Sequence, residues 1–148
     1  MGKDAWAGFC NSALVFSALL FHNMIKGAAG MSQIIHVDNS DFFRKLVKSF
    51  LSELGYQSEG FSRGGEAITA VEGGNATCVI TGLALSDMGG EEFIKRLTVS
   101  AKTVPIIVVT SENNEDLHQR LYTLGVKAVI QKSAGWKELL GEQLAIIT

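Results

Sequence analysis

The sequence predicts an α/β protein built on a parallel sheet with helices on both faces. Three observations lead there. Five short β-type runs alternate with five helical stretches after residue 31, and the connections between them are short. The fourth run, Val104-Pro-Ile-Ile-Val-Val-Thr110, is continuously apolar, as suits a strand buried on both faces. The first run is Gln33-Ile-Ile-His-Val37, which ends at Asp38-Asn39-Ser40. A helix follows, with Phe42, Phe43, Leu46, Val47, Phe50, Leu51 and Leu54 at three/four spacing. Asn39, Ser40 or Asp41 suits its N-cap, and Gly55 stands at the C-cap. Residues 56–61 form a more polar strand, suited to a sheet edge. Residues 64–72 make a short helix through Ala67, Ile68 and Val71, closed by Gly73-Gly74. The third strand, residues 77–81, runs into Gly82, and the third helix covers 91–97. The fourth helix spans 112–124, with Gly125 as its stop, and the fifth strand spans 127–131. The last helix starts near residue 135 and turns Trp136, Leu139, Leu140 and Leu144 toward the core.

A chain of 148 residues suits one domain with a substantial core. With 19% charged and 47% hydrophobic residues and a formal charge of −2, it is not a disordered chain. No basic block offers a nucleic-acid surface. Cys10 and Cys78 fit no metal-ligand spacing and read as two reduced thiols, consistent with the cytoplasm.

The first thirty residues differ in kind. Residues 5–25 carry no Asp, Glu, Lys or Arg. Three readings stay open. A spanning helix needs about 20 apolar residues, and Asn11, Ser12, Ser17, His22 and Asn23 dilute the run. A signal peptide would be cleaved near Gly27-Ala28-Ala29. An appended apolar helix, from an upstream start codon or a non-native leader, would pack on the domain or pair two copies. In each reading 27–30 is a linker, dividing the chain into 1–30 and 31–148. The expected location is the cytoplasm, with any membrane association made through the N-terminal segment.

Ligands of a doubly wound sheet gather beyond the carboxyl ends of the central strands. This chain places Asp38 and Asn39 after strand one and Gly82 after strand three. Thr110 and Ser111 follow strand four, and Lys132 and Ser133 follow strand five.

Four segments carry a resemblance: Val37-Asp38-Asn39-Ser40, the stretch 83–90 with its Asp87-Met88-Gly89-Gly90-Glu91 turn, Val108-Val109-Thr110-Ser111, and Gln131-Lys132-Ser133. In this order and spacing, residues 31–148 resemble the receiver domain of two-component response regulators. The resemblance implies a flavodoxin-like fold of strand order 2-1-3-4-5 with five helices, to which the N-terminal apolar helix would be an addition. It also implies an aspartate at the end of strand three that takes a phosphoryl group from a histidine kinase. Two acidic residues after strand one would hold Mg²⁺, a hydroxyl after strand four would touch the phosphoryl oxygens, and a lysine after strand five would pair with them.

The match to that pattern is partial. Asp38, Thr110 and Lys132 fit it. Asn39 replaces the second acid, and Gly82 occupies the phosphoacceptor position. Ser86 and Ser133 stand where proline is usual, and Val129 stands where an aromatic switch residue is usual. Mg²⁺ prefers one or two carboxylates with phosphate oxygens, so only weak binding through Asp38 is expected and no cofactor is implied. Asp87 reads as a turn residue, and His36 and His118 as a packed and a solvated side chain.

The leading expectation is a non-enzymatic, receiver-like module that acts by phosphorylation-independent docking in a phosphorelay pathway. Its expected partner is a histidine kinase or another signalling protein, met by Leu117, His118, Leu121, Tyr122 and Val129; a homodimer is a further expectation. Two alternatives stay open. One is phosphorylation at a substitute residue near the pocket. The other is a small anion or nucleotide bound between Thr110 and Lys132.

Overall fold

The computed structural model describes residues 33–101 and 103–147. The expected apolar helix over 5–25, the 27–30 linker and Cys10 lie outside the described residues. Strands β1 (Gln33–Val37), β2 (Ser58–Phe61), β3 (Ala76–Thr81), β4 (Ile106–Thr110) and β5 (Ala128–Gln131) alternate with five helices. These are α1 (Asp41–Glu53), α2 (Gly64–Glu72), α3 (Gly90–Ser100), α4 (Glu115–Thr123) and α5 (Trp136–Ile147). All strands pair in parallel in the order 2-1-3-4-5, the flavodoxin-like arrangement.

Two apolar layers sandwich the sheet, because successive strand residues face opposite sides. Ile35, Val37, Val79 and Val108 meet α2, α3 and α4 through Val71, Phe93, Leu97 and Leu121. On the other side Ile34, Ile80, Ile107 and Ile130 meet α1 and α5 through Phe43, Val47, Leu51, Leu140 and Leu144. Every residue of β4 is buried, as its unbroken apolar run requires.

The helix ends follow local chemistry. Ser40 Oγ accepts the Phe43 amide at 3.1 Å and caps α1. Gly55 leaves that helix with φ of +87°, a conformation open to glycine and costly for other residues. Helix α4 begins three residues later than expected, because Asn114 Oδ1 accepts the Leu117 amide at 3.2 Å and sets the cap there. Helix α3 runs three residues beyond the expected 97, and the Ala101 amide closes it on Leu97. Leu139 is a correction: expected in the core, it faces outward on α5, one position before the buried Leu140.

Candidate functional site

Parallel pairing brings the ends of β1, β3, β4 and β5 to one edge of the sheet. Register sets Val37 opposite Thr81, so Asp38 and Gly82 emerge side by side. The Gly82 amide donates to the Val37 carbonyl at 2.8 Å, holding the two loop starts together.

Asp38 is only 3% exposed and is closely partnered. Its Oδ1 accepts the Ser40 amide at 2.9 Å, and its Oδ2 accepts Lys132 Nζ at 2.7 Å. Arg44 Nη1 donates to the Asp38 carbonyl at 2.7 Å. Lys132 Nζ lies 4.2 Å from the centre of the Phe43 ring, so the ammonium is held by a carboxylate and an aromatic face together. A buried ion pair offsets its desolvation only with good geometry and further hydrogen bonds. This one has both.

The space that Gly82 leaves is filled by that pair. A Cβ at position 82 would lie 2.6 Å from Asp38 Oδ2, closer than real carbon–oxygen contacts allow. The Asp38 carboxylate has thus settled into the room an acceptor side chain would need. Thr110 is buried, and its Oγ1 accepts the Glu112 amide at 3.1 Å. Asn39 is exposed and donates its amide to the Ala84 carbonyl at 3.2 Å. The donor set does not fit Mg²⁺. Its one carboxylate is paired with an ammonium, and no cluster of three His, Cys, Asp or Glu suited to a metal exists among the described residues.

The departures from the expected prolines have consequences. The Ser86 amide donates to the Ser62 carbonyl at 2.8 Å, and the Ser133 amide to the Gln131 carbonyl at 2.8 Å. Proline has no N–H and could make neither bond. Asp87 does more than turn the chain. Its carboxylate accepts the Gly64 amide at 2.7 Å and the Gly65 amide at 3.0 Å, capping α2, whose own N-cap residue Arg63 supplies no side-chain bond. The Gly65 amide first, and Gly64 with it, hold the Asp87 carboxyl below the usual carboxylate range. Gly90 is required where it stands, since a Cβ there would meet the Leu83 Cα at 2.7 Å and the Gly82 carbonyl at 2.8 Å.

The expected partner face needs correction. Leu117 and Leu121 are core residues, Leu121 being 0% exposed, because the inward stripe of α4 packs on the sheet. His118 and Val129 are half-buried, and Tyr122 is 46% exposed. Tyr122 Oη accepts the Val129 amide at 3.1 Å, covering an N–H on the open edge of β5. Sequence reasoning missed Phe43 and Arg44 as members of the strand-end cluster. Helical spacing marks Phe43 as inward-facing, but nothing local ties it to the lysine that follows β5.

A family model described as the response regulator receiver domain matches residues 34–142. The chain is 27% identical over 109 residues to the transcriptional regulatory protein SrrA of Staphylococcus aureus, covering 74% of this chain and 45% of that protein. It therefore spans less than half the length of such curated relatives. Among solved structures, chemotaxis protein CheY4 of Vibrio cholerae superposes with a TM-score of 0.71 at 24% identity, covering 79% of this chain and 98% of that one. CheY of Borrelia burgdorferi, solved in a CheX–CheY–BeF3–Mg²⁺ complex, gives a TM-score of 0.72 at 18% identity over 79% and 90% of the two chains.

Proposed function

The chain belongs to the response regulator receiver domain family, and from that premise we propose that it signals by protein–protein contact without being phosphorylated. Receiver domains are in general signalling modules of two-component systems and contact kinases and other signalling proteins. One observation carries the finer reading: a Gly82 Cβ would sit 2.6 Å from an Asp38 carboxylate that is itself bound to Lys132. The position lacks a nucleophilic oxygen, the lysine that would meet phosphoryl oxygens is engaged, and the neighbouring carboxylate fills the gap. Phosphoryl transfer rests on positioned charge around an attacking oxygen, and here those charges neutralise each other.

Substitute acceptors gain no support from the geometry. Asp87 is occupied by two backbone amides. Thr110 and Lys132 both have partners, which also speaks against an anion held between them. The partner surface is proposed on α4, β5 and α5, carried by Tyr122, His118, Val129 and Leu139. The bond between the Tyr122 hydroxyl and β5 supports a surface that keeps one arrangement. The partner is a kinase or another signalling protein, and the place of action is the cytoplasm.

The test is incubation with acetyl phosphate and Mg²⁺, followed by intact mass. No phosphoryl-sized gain is expected. A gain that disappears in Asp87→Asn would establish the substitute-acceptor reading instead.

A further inference from the structure

A second polar site lies on the flank of the sheet, away from the strand ends. His36 of β1 faces α1, edge-on to Phe43 with ring centres 6.0 Å apart. His36 is 2% exposed, and neither ring nitrogen has a hydrogen-bond partner among the described residues. Buried polar atoms are nearly always paired, and an orphan costs stability. His36 also lines a cleft of about 200 Å³ between α1 and β2.

The cleft is positively charged. Arg44, Lys45 and Lys48 line it against a single carboxylate, Asp41. Asp41 already lies 3.1 Å from Arg44 and 3.1 Å from Lys45, while Lys48 has no ion-pair partner among the described residues. Ser58 and Gly60 form the opposite wall. Strand alternation turns Glu59 away from them, and its carboxylate accepts the Gln33 side-chain amide at 3.0 Å.

Gly60 pairs with His36 in the register, and packing does not demand a glycine there. A Cβ would meet only Arg44 Cδ at 3.6 Å and the His36 carbonyl at 3.9 Å, both ordinary contacts. A glycine inside a strand costs stability and often marks a place where a ligand comes close.

We propose that this cleft binds a small phosphate-bearing anion, with the His36 N–H donating from its floor and Arg44 and Lys48 balancing the charge. The volume is below that of drug-sized ligand sites, which suits a phosphate group with at most a small substituent. Arg44 also donates to the Asp38 carbonyl, so an anion there would be sensed at the strand-end cluster.

The full chain should be titrated with inorganic phosphate, chloride holding the ionic strength constant, and followed by backbone and imidazole ¹⁵N NMR. Saturable shifts are expected at His36, Gly60 and the first two turns of α1. Lys48→Glu should weaken binding roughly tenfold or more, and Gly60→Val should abolish it while the remaining spectrum keeps its dispersion. A parallel titration with glycerol phosphate assigns the site to free phosphate or to a phosphorylated metabolite, according to which saturates first. Shifts that do not saturate, that chloride reproduces, or that survive both substitutions would overturn the proposal. None of these outcomes depends on whether the chain accepts a phosphoryl group.

Discussion

Asp38 and His36 lie two residues apart and are buried to nearly the same depth, yet their surroundings are opposite. Asp38 receives a lysine ammonium and a backbone amide on its two oxygens. His36 receives nothing on either nitrogen from the described residues. Asp38 thus has both carboxylate oxygens satisfied by the protein's own groups. His36 belongs to a site with hydrogen-bonding capacity left over. Burial alone therefore says little about function; the count of satisfied polar atoms separates the two.

The sharpest way to break this contrast is to make Asp38 an orphan as well. Lys132→Met should destabilise the fold by about 3–5 kcal/mol, because removing one member of a buried pair strands the other. The double variant Asp38→Leu/Lys132→Met should recover most of that loss, as measured by urea unfolding at neutral pH. Equal losses in the single and double variants would mean that the pair contributes no coupling.

The next effect is smaller and tied to pH. Burial, helped by Lys132 and Arg44 and opposed by Asp38, pushes the His36 pKa down to about 4 from 6.5. Between those values the unfolded chain holds a proton that the folded chain refuses. Stability should therefore rise with pH from about 4 to about 6.5 and level off above, the whole change from this group being about 3 kcal/mol. Unfolding free energies across that range should show the rise, and His36→Leu should flatten it. If the two slopes coincide, the imidazole is not kept neutral by the fold.

The smallest effect sharpens the comparison through the ring that touches both residues. Phe43 stands between His36 and Lys132. Phe43→Leu keeps most of the apolar volume and loses the aromatic face, so about 1 kcal/mol of stability should go. The Lys132 ammonium resonance should move with it. An unchanged resonance would show that the ring is mere packing for the lysine.

Much of this molecule was legible from its residues alone, and particular elements show why. Strand β1 and helix α2 match the expected bounds, since alternating apolar runs and flanking turn residues act within a few positions. The glycine at the end of β3 was equally plain, because Gly82 stands in a recognisable stretch of sequence. Helix α4 was less legible. Its apolar positions Leu117, Leu121 and Tyr122 look alike on a helical repeat, and only packing separated the two core leucines from the exposed tyrosine.

The sequence by itself determined the order of elements, the two-sided burial of the sheet and the absence of a carboxylate at position 82. These follow from side-chain type and short-range spacing. The tertiary structure alone decided that Asp38 turns into the vacant room to meet Lys132, 94 positions away. It alone set Asp87 on the end of α2 and left the His36 ring without a partner among the described residues, beside a basic cleft. Such outcomes depend on which distant atoms compete for one space and one hydrogen bond, and no local propensity encodes that competition.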